Sequence, residues 1–78
     1  MARDYYAETR AICEELQAAG REDLADELRD ALQSGSTATE ILMDLRWNLK
    51  KALTEESDLG GTKEKMRSLK EGLDQVLS

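Results

Sequence analysis

The sequence predicts an all-α protein, a small bundle of four helices. Its 78 residues contain no proline, whereas an average composition near 5% would supply about four. The residues with the highest helix propensity, Ala, Leu, Glu, Lys and Arg, dominate the composition. Apolar residues recur with the period of an amphipathic helix in four segments, approximately 3–19, 22–33, 37–55 and 62–77. All 78 residues are expected to form one domain, with a flexible connection at 56–61.

The first segment, 3–19, predicts a helix that ends at Gly20, because glycine adopts the left-handed conformation found after many helix C-termini. Cys13 falls on the inward face of this helix, between Thr9 and Leu16. We interpret it as a core cysteine, since a reactive thiol needs a basic and exposed setting. As the single cysteine of the chain, it cannot form an internal disulfide.

The second segment, 22–33, follows a very short turn, so its helix is expected to lie antiparallel to the first or at a sharp angle to it. Its outward face carries five carboxylates: Glu22, Asp23, Asp26, Glu27 and Asp30. An ordinary solvated face explains this arrangement. The alternative is a docking surface for a basic partner. Like charges four residues apart destabilise a helix by a few tenths of a kcal/mol per pair, and a binding role would give a reason for keeping them despite this cost.

The third segment, 37–55, opens with a capping box in which Thr37 accepts from the Glu40 N–H and Glu40 accepts from the Thr37 N–H. Met43 and Trp47 lie one turn apart on the side opposite the predicted core face. Either another helix covers them, so that this helix is central and the rest of the chain folds around it, or they contact a partner. That partner would be a second copy of the chain or a different protein.

The fourth segment, 62–77, follows Gly60 and Gly61, which predict a hinge. Its apolar residues have 3-4-3 spacing over only about two heptads, so the helix is expected to pack on the other three or on a second chain. The residues expected in the core of the bundle are Tyr5, Tyr6, Ile12, Cys13, Leu16, Leu24, Leu28, Leu32, Ile41, Leu42, Leu45, Leu49, Leu53, Met66, Leu69, Leu73, Val76 and Leu77. Because this core is small, a homodimer is also expected.

The net charge of −6, from 17 acidic and 11 basic residues, disfavours binding to nucleic acid and to anionic membrane surfaces. The first residues contain no apolar segment typical of a signal peptide, and the longest aliphatic run is residues 41–43. A cytoplasmic location is therefore expected.

Catalytic motifs are missing from the sequence. It contains no histidine, which excludes the commonest general base and the commonest neutral metal ligand, and no glycine-rich phosphate loop. We therefore expect no catalytic residues, no metal site, no cofactor and no small-molecule substrate.

These observations predict a small acidic protein-binding module without catalytic activity. An inhibitor or immunity-type protein that binds a basic partner would fit this description, but only by analogy of class. One alternative is a structural or scaffolding homo-oligomer. A second is a small helix-turn-helix DNA-binding regulator, although its recognition helix would present two acids before Arg46.

Overall fold

Four helices make up most of the described chain. The computed structural model describes residues 3–55 and 59–77, and in these residues it contains four helices and no strand. The helices are α1 (Tyr5–Ala18), α2 (Glu22–Ser34), α3 (Ala38–Glu55) and α4 (Thr62–Leu77). These bounds agree with the predicted segments to within two residues, so the all-α four-helix fold is confirmed. Of the predicted flexible connection, residues 56–58 lie outside the described residues.

The helices form a closed ring in chain order. α1 packs on α2, α2 on α3, α3 on α4, and α4 returns to α1. Within the described residues, neither diagonal pair, α1 with α3 or α2 with α4, brings two Cα atoms within 8 Å. α4 therefore packs on its own chain, as the first of the two predicted arrangements has it, but among the described helices it contacts α1 and α3 and not all three.

Contacts between neighbouring helices give their relative directions. Ser34 at the end of α2 donates to Asp44 near the start of α3, and Glu27, earlier in α2, pairs with Lys51, later in α3. α2 and α3 are therefore antiparallel. In the same way, the start of α1 approaches the end of α4, where the Tyr5 hydroxyl lies 3.5 Å from the Gly72 carbonyl oxygen.

Of the two alternatives for the outward face of α3, the one in which another helix covers it and α3 is central to the fold is wrong. α3 occupies one corner of the ring and contacts only α2 and α4 among the described helices. Its inward residues are buried, but the side chains on its opposite face, Met43 and Trp47, are 51% and 64% exposed. No described helix covers them, and the interpretation of Met43 and Trp47 as core residues is excluded for the described part of the chain.

The core is formed by the inward faces of all four helices together with Leu59. Its buried apolar residues are Ile12, Cys13, Leu16, Leu24, Ala25, Leu28, Ala31, Leu45, Leu49, Ala52, Leu59, Met66, Leu69 and Leu73. Seven residues expected in the core are only half-buried: Tyr5, Tyr6, Leu32, Ile41, Leu42, Leu53 and Leu77. Leu59, which was expected in a flexible connection, is 6% exposed and closes the core before α4 begins.

Val76 was predicted to be buried and is 52% exposed. α1 and α4 are antiparallel, and the first residue of α1, Tyr5, lies beside Gly72. Val76 lies one turn beyond Gly72, past the start of α1. The apolar face of α4 therefore extends past the first residue of α1, and α1 does not cover Val76.

The helix termini follow local sequence signals. Asp4 caps α1 by accepting from the Ala7 N–H at 3.0 Å. After α1, Gly20 has a φ of 81° and Arg21 donates its N–H to the Leu16 carbonyl oxygen, which together form a Schellman motif. The predicted left-handed glycine is therefore confirmed.

The cap of α3 differs in one bond from the prediction. Thr37 Oγ1 accepts from the Glu40 N–H at 3.2 Å, as predicted. The Glu40 carboxylate, however, accepts from the N–H and the hydroxyl of Ser36, at 3.2 and 3.1 Å, rather than from the Thr37 N–H. Glu40 thus reaches one residue further back and also satisfies a side-chain donor.

Candidate interaction surfaces

The outward face of α3 is an apolar surface that the bundle leaves open. Burial of Leu45 and Leu49, both 0% exposed, fixes the rotation of α3 about its axis. Residues half a turn away must then point outward, which places Met43 and Trp47 side by side on the exterior. We call Met43, Trp47 and the charged residues around them the Met43–Trp47 surface.

A groove runs along this surface between α3 and α4. It has a volume of about 510 Å³ and is lined by Met43, Asp44, Arg46, Trp47, Lys50, Lys70 and Asp74. Asp74 accepts from Lys70 at 2.7 Å and lies 3.8 Å from the Arg46 guanidinium. The hydrogen bond from Lys70, together with the charge of Arg46, lowers the pKa of Asp74. The Lys70–Asp74 pair lies within α4, and the Arg46–Asp74 pair connects α4 to α3 along the wall of the groove.

A second groove, of about 350 Å³, lies on the other side of Trp47, and its lining includes Lys50, Lys51, Thr54 and Glu55. Trp47 and Lys50 line both grooves, so the exposed indole borders each of them.

The charges around Met43 and Trp47 are nearly balanced, unlike those of the protein as a whole. The two grooves are lined by four cationic side chains, Arg46, Lys50, Lys51 and Lys70, and by three carboxylates, Asp44, Glu55 and Asp74. The local net charge is +1 on a chain whose total is −6. The exposed apolar residues thus lie where both signs of charge are present, and not within a uniformly acidic field.

The five predicted carboxylates of α2 share one face, as the helical period requires. Asp23 is paired with Arg21 at 3.3 Å, and this hydrogen bond lowers the pKa of Asp23. Asp26 lies 3.7 Å from Arg29, and Glu27 lies 3.5 Å from Lys51.

Glu22 and Asp30 have no ion pair within 4.0 Å in residues 3–55 and 59–77. Two of the five carboxylates on this face therefore remain available for an external cation.

One feature that crosses helices was not predicted. Asp44 of α3 joins Glu27 and Asp30 of α2 in lining a small groove of about 250 Å³, so the acidic face of α2 continues onto the edge of the Met43–Trp47 surface. The sequence carries no local signal for this groove, because Asp44 lies on a different helix from Glu27 and Asp30. Among the described residues, no group of three or more His, Cys, Asp or Glu side chains is arranged to hold a metal ion.

A further groove lies between α1 and α4 and has a volume of about 310 Å³. Its polar walls are already engaged, since Glu15 accepts from Lys65 at 2.6 Å and Glu8 from Arg3 at 2.6 Å. Cys13 is nearby in the core, 0% exposed, with its sulfur 3.5 Å from the Ala25 carbonyl oxygen. This full burial confirms the interpretation of Cys13 as a core residue, and it raises the pKa of the thiol.

Comparison with known proteins gives this chain no relatives: no family model, no curated protein and no solved structure matches it. Among the described helices, none combines the length and apolar character needed to cross a membrane. The surfaces themselves are therefore the basis for a functional proposal.

Proposed function

We propose that this chain is a protein-binding module that contacts its partner through the Met43–Trp47 surface. The observation that carries the proposal is the exposure of Trp47, 64%, beside Met43, 51%, on a helix whose opposite face is buried in the core. Tryptophan is enriched among the residues that contribute most to binding energy, and methionine adapts its shape to different partners. Clustered exposed side chains of this size commonly mark interaction sites.

The surroundings of Trp47 support a protein partner. Protein interfaces combine an aromatic or apolar centre with a polar and charged rim, and the two grooves beside Trp47 supply such a rim. A histidine-free sequence further favours binding over acid–base catalysis. We therefore assign the chain no catalytic activity in this proposal.

The acidic face of α2 is a second contact region in the same proposal. Glu22 and Asp30, which have no ion pair with any described residue, would attract cationic groups on a partner and increase the association rate more than the affinity. An inhibitor or immunity-type protein would use the face in this way. If it contributes, raising the salt concentration to about 0.5 M should slow association by shortening the screening length to a few ångströms.

Photo-crosslinking tests the proposed function. A photoreactive phenylalanine analogue is introduced in place of Trp47 in the source cells, and in a matched control in place of Glu14, which is exposed on α1. The control helix has no contact with α3 among the described residues. Illumination should give a covalent adduct with a defined protein, identified by mass spectrometry, from position 47 and not from position 14. No adduct at position 47, or equal adducts at both positions, would contradict the proposal.

A further inference from the structure

We propose that the partner of the Met43–Trp47 surface is a second copy of this chain, bound with the two α3 helices antiparallel across a twofold axis near Trp47. This inference rests on the proposed function, since it names the occupant of the same surface. Three features of α3 carry it: the spacing of its outward residues, the exposed apolar centre, and the separation of charge along the helix.

The outward residues of α3 have the spacing of a helix–helix seam. Glu40, Met43, Trp47, Lys50 and Thr54 are all exposed and follow one another at intervals of 3, 4, 3 and 4 residues. A seam with this period faces a partner helix continuously over its length. Its apolar residues lie at the centre and its polar residues at the ends, as in an interface with a dry core and a hydrated rim.

The charges on the outward face of α3 are mainly acidic before Trp47 and mainly basic after it. Glu40 and Asp44 come before Trp47, whereas Lys50 and Lys51 come after it. The exceptions are Arg46, whose charge faces Asp74 of α4 at 3.8 Å, and Glu55, the last residue of the helix. A parallel copy would place like charges opposite one another. A reversed copy instead places the acidic half of each helix against the basic half of the other, and a twofold axis makes every such contact twice.

One pair of residues defines the register. Asp44 and Lys51 flank the same edge of the seam, the edge nearest α2, where Asp44 accepts from Ser34 and Lys51 pairs with Glu27. In the antiparallel arrangement, Asp44 of one copy lies opposite Lys51 of the second copy. The midpoint between positions 44 and 51 falls beside Trp47, so the same register brings the two indoles together at the axis.

The acidic groove described above strengthens this register. Asp44, Glu27 and Asp30 line it together, so an approaching Lys51 of the second copy would meet several carboxylates and not one. A strongly basic partner would match the acidic face of α2 better than this surface, because the residues lining its two grooves carry a net charge of +1 and Glu40 brings the total only to zero. Acidic residues come first and basic residues later along the outward face of α3. This face is therefore complementary to the same face of a second copy that runs in the opposite direction.

Charge reversal tests the dimer and its register together. Self-association is measured by sedimentation equilibrium from about 1 μM to about 1 mM, a range that covers weak and moderate dimers. The unaltered chain should dimerise, and Trp47→Ala should weaken the dimer about thirtyfold or more, the effect of removing a residue central to an interface. Asp44→Lys and Lys51→Asp should each weaken it about five- to tenfold, because each replaces two attractive contacts by two repulsive ones.

The decisive sample is an equimolar mixture of Asp44→Lys and Lys51→Asp. In a heterodimer of these two variants both cross-copy contacts have opposite charges again, so the mixture should associate as tightly as the unaltered chain. Glu14→Lys and Arg10→Asp, which reverse charge at exposed positions on α1, are the matched controls and should leave the dimer unchanged. Thermal melts followed by circular dichroism establish that every variant is folded, which matters for Lys51→Asp because Lys51 also pairs with Glu27.

The outcomes separate this inference from the proposed function. A chain that stays monomeric over the whole range overturns the dimer, while crosslinking of a different protein at position 47 would still support a protein-binding module. A dimer that Trp47→Ala does not weaken overturns the assignment of this surface as the dimer contact. A dimer that Trp47→Ala weakens, but that the mixed charge variants fail to restore, overturns the antiparallel register.

Discussion

Gly35 lies against Ile41 so closely that a Cβ atom at position 35 would be 2.7 Å from Ile41 Cγ1 and 2.8 Å from the Ile41 backbone nitrogen. Gly35 follows the last residue of α2, and Ile41 lies in the first turn of α3. The missing side chain therefore allows the end of one helix to approach the start of the next. This contact fixes the corner between α2 and α3, from which the Met43–Trp47 surface is presented.

Gly35→Ala should lower the free energy of unfolding by about 1–3 kcal/mol, because the added methyl group meets backbone as well as side-chain atoms. Urea denaturation measures the change. Gly61→Ala is the matched control: a Cβ there would meet no described atom within 4 Å, and its φ lies outside the left-handed region. It should be neutral or stabilising by up to about 1 kcal/mol. Similar destabilisation by both substitutions would contradict the close approach.

Trp47→Ala should change the free energy of unfolding of the monomer by no more than about 0.5 kcal/mol, because most of the indole is already in solvent. Leu45→Ala, two residues earlier on the buried face, should cost about 2–5 kcal/mol. Both values are obtained by urea denaturation at a concentration below the dimer range. A large destabilisation by Trp47→Ala would show that the residue contributes to the core.

Thr37→Ala should destabilise the chain by about 1 kcal/mol, because the Glu40 N–H loses its side-chain acceptor at the start of α3. Thr39→Ala, two residues along, is the control. Thr39 is exposed inside the helix, where alanine has the higher helix propensity, so this change should be neutral or slightly stabilising. Equal effects of the two substitutions in thermal or urea unfolding would count against the cap.

The free energy of unfolding should decrease above pH 9, and ionisation of the Cys13 thiol should account for part of the decrease. Burial raises the pKa of this thiol above its ordinary value of 9.0 in the folded chain. Well below pH 9.0, the Cys13 thiol is protonated in both the folded and the unfolded chain. Above it the unfolded chain loses the proton first, so the free energy of unfolding decreases until the pH passes the folded pKa.

Cys13→Ala removes this contribution. The difference in unfolding free energy between the unaltered chain and Cys13→Ala should be constant from about pH 7 to pH 8 and then shrink as the pH rises further. Every other titratable group is present in both proteins, so the contributions of those groups cancel in the difference. A difference that stays constant up to about pH 10.5 would contradict the burial of the thiol.

Local signals account for the part of the fold that could be predicted. The helix bounds follow from apolar period, from Gly20 and from the Thr37 cap, all of which act within a few residues. Val76 was misassigned because its burial depends on where α1 begins, which is a relationship between distant segments. Leu59 was missed because a single apolar residue in a connection has no period.

The features of the candidate site that lie within one helix could also be predicted, whereas those that depend on contacts between helices could not. The acidic face of α2 was predicted because all five carboxylates belong to one helix. The groove beside Trp47 was not, since Lys70 and Asp74 come from α4 and approach Arg46 only in the folded chain. Whether Met43 and Trp47 are covered was left open by the sequence because it depends on which corner of the ring α3 occupies.

The contact of Arg3 and Tyr5 with Gly72 has a practical consequence. It brings residue 3 and residue 77 to the same end of the bundle, so a short peptide could link them. New termini could then be opened at Gly61 without separating any pair of packed helices. Such a circularly permuted chain would present the tryptophan face unchanged, with its attachment points relocated to the connection between α3 and α4.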